Sequence, residues 1–462
     1  MHLVGIAGSG MKALAEWLVG RGWQVSGSDE RADDAPLAWL RARGVRIQQG
    51  HQSLQMAATA NLVVYSPAVP ESNPERRAAA ARRIPQRSYP EFLAELTAAF
   101  PTICVAGTHG KSTTAAMAGH LLRRAGADPQ VIVGAEFLDR GVNGWAGRGG
   151  PFVLESCEYQ RHFLKYQPRW AAILSVEPDH FDCYADFSQA RNAFAQFASR
   201  VAPDGLLVVG ADSPAAMEAA SARPGGARPA AAVETFGFDP GADWRARGLR
   251  REANGVGFQI ERRGELFADA TLPIPGVHNV LNALAAAALC AEQGLSAAQI
   301  AAGLADFPGV ARRFEIRGTW RGVTLIDDYA HHPTAVKAVL RTARSWFEGR
   351  RIVCAFQPHQ ISRTRRLLAD FAASLALADF VAVPPVYAAR EDDDDGELHG
   401  TLADLVAQRG VPARACGSLD QTVCLLEDSL RPGDVLLTLG AGNIDQIQHA
   451  FSRRLPRHHD PR

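Results

Sequence analysis

The stretch Thr102-Ile103-Cys104-Val105-Ala106-Gly107-Thr108-His109-Gly110-Lys111-Ser112-Thr113 passes from one periodicity to another within a single turn. Thr102–Ala106 reads as a buried strand, and from Ser112 to Ala125 the pattern is helical until Gly126 stops it. Glycines at such a junction let backbone N–H groups and a helix N-terminus converge on phosphate oxygens. In that setting Lys111 neutralises β/γ-phosphate charge and the Ser112 hydroxyl ligates Mg²⁺. The loop departs from G-x-x-x-x-G-K-[ST], because Val105 stands at the first glycine position and Gly107 follows two residues later. It is a shortened variant. The plain alternative, a tight turn with an incidental Gly-Lys-Ser, fits the strand–loop–helix context less well. Gly107, Thr108, His109, Gly110, Lys111, Ser112 and Thr113 are therefore the candidate ATP-phosphate residues.

A magnesium site needs hard oxygen ligands beyond one hydroxyl. Glu155 ends the apolar run Phe152–Leu154, and Glu158 follows it. Glu177-Pro178-Asp179-His180 ends the next apolar run in the same way. A histidine after a strand is more often structural, but beside a phosphate loop His180 is a candidate second metal ligand.

Further toward the N-terminus, Gly5-Ile6-Ala7-Gly8-Ser9-Gly10-Met11-Lys12-Ala13 follows the strand pattern His2–Ile6, and Asp29 closes the strand Gln24–Ser28. This approximates G-x-G-x-x-A with its ribose-binding acid. Alone it would suggest NAD and an oxidoreductase. A dehydrogenase, however, has no use for a separate Mg·ATP loop. Two diphosphate cradles point to one nucleotide as fuel and another as a substrate handle.

Strands alternate with helices along the whole chain of 462 residues, which predicts α/β units with mainly parallel sheets. Three domains are expected, at 1–90, 91–312 and 313–462. The Ala-, Pro- and Gly-rich stretch 213–232 is expected to be an exposed connection, and Asn279–Gln293 a helix. In the third segment, Asp327-Asp328-Tyr329-Ala330-His331-His332-Pro333 and Phe356-Gln357-Pro358-His359-Gln360-Ile361-Ser362-Arg363-Thr364-Arg365 each follow a strand. They supply carboxylate, imidazole and guanidinium groups suited to a zwitterionic amino acid. His331-His332 lacks a third residue at metal-ligand spacing, so no zinc is expected there. The acidic run Glu391–Asp395 reads as a solvated loop.

Basic and acidic residues balance at 49 each, which argues against nucleic acid or an anionic membrane as partner. Lys12, Lys111, Lys165 and Lys337 are the only lysines, so a lysine kept in a glycine loop is more informative than any single arginine. The seven cysteines are dispersed and suggest neither disulfides nor structural zinc. With no apolar stretch of membrane length, and a strand pattern starting at His2 where a signal peptide would lie, a cytoplasmic protein is expected.

Taken in order, GIAGSGM, SPAVP, GTHGKSTT, ESCEY, EPDHFD, GVHNVLNALAA, RRFE, DDYAHHPT, FQPHQISRTR and TLGAGNI resemble the Mur ligase family over essentially the whole chain. The resemblance implies ATP-dependent peptide-bond formation on a UDP-N-acetylmuramyl precursor, with Mg²⁺ (or Mn²⁺) as cofactor. It also implies a Rossmann-like N-terminal domain, a central P-loop ATPase-type domain and a Rossmann-like C-terminal domain. GIAGSGM, DDYAHHPT and FQPHQISRTR are most similar to the member adding L-alanine. That makes UDP-N-acetylmuramate and L-alanine the expected substrates, taken by a monomer or homodimer. The murein tripeptide-recycling member shares DDYAHHPT but generally differs at the last motif.

By the same resemblance, Gly8, Ser9, Gly10, Met11, Asp29 and Ser66 hold the UDP part. Lys111 and Ser112 hold phosphates and metal, Glu155 binds the same magnesium, and His180 binds a second one. Asn279 and Asn282 contact adenine, Arg313 and Asp328 close over ATP, and Tyr329, His359 and Arg363 line the alanine site. Either Asp328 or His331 accepts the ammonium proton; the sequence does not choose. Cys157 replaces an aspartate common in the family, and no lysine lies between Lys165 and Lys337 to serve as a carbamylated metal ligand.

Overall fold

A computed structural model of the chain describes residues 1–32, 34–52, 60–221, 231–253, 255–389, 391 and 397–453. They fold into two compact units. The first is Met1–Pro178, Cys183–Pro273 and Asn279–Val310; the second is Asp179–Asp182, Ile274–His278 and Ala311–Arg462.

The first unit carries two sheets. One is all parallel, in the order β3-β2-β1-β4-β5, built from β1 (His2–Val4), β2 (Ser26–Asp29), β3 (Arg46–Gln49), β4 (Val63–Tyr65) and β5 (Gln86–Ser88). Its strands are short, and Leu3, Val4, Val63 and Val64 are fully buried between helices, as a sheet covered on both faces requires.

The other sheet has ten strands. They are β6 (Thr102–Ala106), β7 (Gln130–Phe137), β8 (Val142–Trp145), β9 (Phe152–Glu155), β10 (Trp170–Ile173), β11 (Leu206–Gly210), β12 (Ala232–Gly237), β13 (Trp244–Glu252), β14 (Gly255–Arg262) and β15 (Glu265–Leu272). Their order is β15-β14-β13-β12-β11-β10-β6-β9-β7-β8, parallel from β13 to β7 with antiparallel hairpins at both edges.

The second unit holds a six-stranded sheet, β16-β17-β21-β18-β19-β20. Its strands are β16 (Glu315–Trp320), β17 (Val323–Asp328), β18 (Ile352–Phe356), β19 (Phe380–Val383), β20 (Ala413–Ala415) and β21 (Val435–Leu439). Only β16 runs antiparallel to its neighbour. The expected mainly parallel α/β class is what the chain adopts, with three sheets.

Two expectations are corrected. Pro214–Ser221 is a helix burying Ala216, Ala219 and Ala220, not an exposed connection, because its alanines recur at helical spacing; residues 222–230 lie outside the described residues. The meander β13–β15 lacks a strong apolar run and was not expected. It alternates instead, burying Phe258, Ile260, Ala268, Ala270 and Leu272. Arg263 (φ 52°) and Gly264 (φ 85°) connect β14 to β15 with both residues left-handed, the two-residue turn that matches strand twist.

Candidate functional site

The phosphate loop is built as its sequence requires. Gly107 (φ 135°) comes so near the chain that a Cβ would lie 3.0 Å from the backbone nitrogens of Leu174 and Ser175. Gly110 (φ 80°) caps the helix Lys111–Arg124 in the left-handed region, where a side chain would also strike Asn282 Oδ1. The loop is tied to the chain after β10: Thr108 N–H donates to Ser175 O (2.8 Å), and Glu177 N–H donates to Thr108 Oγ1 (2.9 Å). His109 lies 3.5 Å from the Glu177 carboxylate.

The Lys111 ammonium donates to Gly107 O (2.6 Å) and meets the buried Glu158 carboxylate at 2.9 Å. Burial opposes its charge, but Glu158, with Glu155 beyond it, outweighs burial and holds the lysine above its ordinary pKa. Glu158 is fixed in turn by its carbonyl, which accepts from Tyr184 Oη (2.6 Å), and by the following turn, where Phe163 stacks on Phe197. Cys157, between the two acids, is exposed.

Ser112 Oγ donates to Glu155 Oε1 at 2.9 Å. Two cis ligands on an octahedral Mg²⁺ with bonds of about 2.1 Å lie about 3 Å apart, so this hydroxyl–carboxylate pair fits the ion. Thr113 is buried in the helix. Asn282 Oδ1 accepts from Thr114 Oγ1 (3.2 Å) and lies against Gly110 of the loop, and its amide donates to Asn279 Oδ1 (3.1 Å).

The N-terminal cradle lies in the same unit. Gly8 precedes the helix Ser9–Gly20 without a side-chain cap or an acid in the first turn, and the first intrahelical bond is Lys12 N–H to Gly8 O. The N–H groups of Ser9, Gly10 and Met11 precede that bond, at an N-terminus favourable to an anion. Met11 itself is core, so its side chain is not a ligand group. Asp29 accepts from the N–H groups of Ala7 (2.9 Å) and Arg31 (3.1 Å), so it also shapes the loop. Gly5 (φ 85°) packs on Ser66, and Gly10 on Tyr89 Oη. The half-buried ring of Tyr89 ties the glycine loop to the helix Tyr89–Ala99.

In the second unit, the loops after β17 and β18 converge. Asp328 accepts from Phe314 N–H and Ala330 N–H, both at 2.7 Å, and burial, against the pull of Arg313, raises its pKa to about 6. Tyr329 lies under the guanidinium groups of Arg312 (5.3 Å) and Arg313 (5.0 Å). His331 Nδ1 lies 2.8 Å from Tyr329 O. A carbonyl only accepts, so Nδ1 carries the proton and Nε2 the lone pair. Burial and the nearby Arg363 hold His331 well below its ordinary pKa, keeping it neutral.

Arg363 donates through Nε to Asp179 (2.7 Å) and lies 3.2 Å from His359 through Nη1. Burial opposes ionisation of Asp179, yet Arg363 holds its carboxyl far below the usual range. His359 stacks on Tyr387 at 5.6 Å, a residue no motif had singled out. His180 sits beside Asp179 with φ 53°, a conformation uncommon outside glycine. Of the acidic run, Glu391 accepts from the N–H groups of Ile361 and Ser362, capping the helix Ile361–Arg366 rather than lying in solvent. Residues 392–395 lie outside the described residues.

Three family descriptions match the chain in order: "Mur ligase family, catalytic domain" over residues 1–101, "Mur ligase middle domain" over 105–290 and "Mur ligase, glutamate ligase domain" over 312–442. A UDP-N-acetylmuramate–L-alanine ligase of Salinibacter ruber is 41% identical, covering 98% of this chain and 94% of its own. One from Frankia casuarinae is 42% identical, covering 97% and 96%. The crystal structure of a UDP-N-acetylmuramate–alanine ligase from Thermotoga maritima is similar at TM-score 0.83 and 29% identity, covering 98% of both chains. A murein peptide ligase from Psychrobacter arcticus shares the fold at TM-score 0.71 and 23% identity, covering 98% of both chains.

Proposed function

The chain belongs to the Mur ligase family, and from that premise we propose that it uses ATP to join L-alanine to the carboxylate of UDP-N-acetylmuramate. The observation that carries this reading is the pair of glycine-built helix N-termini in one unit, only one of which brings a hydroxyl–carboxylate pair suited to a metal. That cradle takes the nucleotide that reacts. The cradle at Gly8–Met11, with Asp29 and Ser66 shaping it, takes the nucleotide that labels the substrate.

The muramyl carboxylate attacks the γ-phosphorus of ATP in line, giving an acyl phosphate and ADP. The amine of L-alanine attacks the acyl carbon, and the tetrahedral intermediate collapses with loss of phosphate. Lys111 and the loop N–H groups of residues 107–113 hold the phosphate charge, where positioning and electrostatics provide most of the acceleration. Ser112 and Glu155 would hold Mg²⁺ and His180 a second ion, which when bound would supply charge neutralisation at the transferring group. Asn279 and Asn282 meet the adenine, and Arg313 the ATP.

Of the two candidate bases, His331 is the better acceptor, since its Nε2 keeps the lone pair. Asp328 uses both oxygens on backbone N–H groups and positions the turn bearing Tyr329 and His331. Asp179 and His359 hold Arg363, leaving the Nη2 edge of its fork for the alanine carboxylate. The domain boundaries near 90 and 312 and a cytoplasmic location belong to the same proposal. Among the described residues, no helix is long and apolar enough to cross a membrane.

The test is phosphate release with ATP, UDP-N-acetylmuramate and one amino acid at a time. Release that depends on L-alanine supports the reading. Release with a tripeptide alone would instead assign the recycling reaction, and NADH binding without ADP release would assign an oxidoreductase.

A further inference from the structure

Away from both cradles, the first unit has a pocket of about 420 Å³ between the helix Ser9–Gly20, the helix Asp34–Arg41 with its following turn, and the β7–β8 hairpin. Glu16, Trp39, Arg43, Arg123, Arg140 and Trp145 line it, with Asp139 at 3.4 Å from Arg123. Its size falls in the range of small-molecule sites.

Its polar atoms are unusually incomplete. Arg123 Nε and Trp145 Nε1 are buried donors that find no acceptor among the described residues. Glu16 Oε1 is a buried acceptor 3.7 Å from Lys12 Nζ that receives no hydrogen bond. An unmet buried group of this kind forfeits its hydration without a replacement bond, so the missing partners matter. The two guanidinium groups at the mouth are already oriented: Arg43 stacks on Trp39 at 3.6 Å and Arg140 on Trp145 at 4.5 Å. Three arginines face only Glu16 and Asp139, and burial together with the neighbouring Arg123 lowers the pKa of Arg140, so an added anion relieves repulsion.

Two donors that require oxygen, guanidinium forks shaped for phosphate, and one carboxyl oxygen that a hydroxyl can meet as donor or acceptor describe one ligand class. We propose that this pocket binds a phosphorylated sugar, at a site distinct from both nucleotide cradles. The phosphate sits among Arg43, Arg123 and Arg140 and takes the Trp145 N–H, while a sugar hydroxyl pairs with Glu16 Oε1. The occupant also has a route to the chemistry. The helix bearing Glu16 begins at Ser9 of one cradle, and β7 carries Gly134, whose N–H is bound by Glu155 of the other.

The experiment is calorimetric titration of the full chain, with both cradles first saturated by ADP and UDP-N-acetylmuramate. The probes are glucose 1-phosphate, inorganic phosphate and glucose. Glucose 1-phosphate is expected to bind, to exceed inorganic phosphate in affinity, and to weaken about tenfold or more in Arg123→Ala and Arg140→Ala. Trp145→Phe keeps the ring and removes only the N–H, so it should also weaken binding, with thermal unfolding confirming the fold of each variant. No binding in the millimolar range, or affinity unchanged in Arg140→Ala, overturns the proposal. Equal affinity for inorganic phosphate and glucose 1-phosphate overturns the assignment of a sugar.

Discussion

At the residue scale, the proposed chemistry rests on Lys111 and His331, and the two should fail differently. Lys111→Ala removes the cation that meets phosphate and leaves Glu158 buried without its partner. Turnover should fall by roughly 10³-fold or more, as for other lost phosphate-stabilising cations, while calorimetry still detects UDP-N-acetylmuramate binding. Unchanged ADP release would contradict the assignment of the loop. His331→Ala should lower kcat by roughly 10²-fold with little change in the KM for ATP, because a proton acceptor works after ATP has bound. A changed KM with kcat intact would instead make the imidazole a binding group. Lys111 was legible in sequence because glycines and a helix start surround it. Its partner Glu158 was visible only as one acid of a pair, since pairing depends on Tyr184 and Phe163 packing the turn from elsewhere in the chain.

At the scale of elements, parallel strands announced themselves as apolar runs: Thr102–Ala106 has the expected bounds, and Ile352–Phe356, Phe380–Val383 and Val435–Leu439 are apolar runs of the same kind. The edge meander β13–β15 did not, because alternation interrupted by exposed arginines resembles a loop; its Arg263-Gly264 turn was the available signal. Gly110→Ala tests the loop–helix junction. A left-handed alanine costs about 1–2 kcal/mol before its clash with Asn282, so thermal stability and ATP affinity should both drop. Normal ATP binding would show that the loop tolerates another path.

Glu16 gives a pH signature for the helix–hairpin contact. It accepts from Asn143 and Gly144 N–H, and burial, exceeding the opposing effects of Lys12 and those donors, raises its pKa to about 7. An acid raised in the folded state binds extra protons there. Its contribution, of order 3 kcal/mol, is full below about 4.5 and disappears as pH climbs toward 7. Asp328 adds slope in the same direction and His331, held below its ordinary pKa, in the opposite one, so the signature is the difference: across this window denaturant unfolding should show the parent losing more stability with rising pH than Glu16→Gln does. An identical slope in the variant would refute the assignment.

At the scale of the whole molecule, the central claim is that two cradles hold two nucleotides with different fates, one cleaved and one retained. That much could be read from glycine spacing and from the order of the motifs, since both cradles are local. The proposed amino-acid site was legible as residue types only, because Asp179, His331, His359 and Arg363 are assembled by the fold from separate loops. The most direct measurement starts from UDP-N-acetylmuramate whose carboxylate carries heavy oxygen, incubated with ATP and L-alanine. Mass spectrometry of the released phosphate should find one labelled oxygen transferred from the carboxylate for each peptide bond formed. Unlabelled phosphate alongside labelled product would contradict the acyl phosphate and, with it, the assignment of the Lys111 cradle to the nucleotide that reacts.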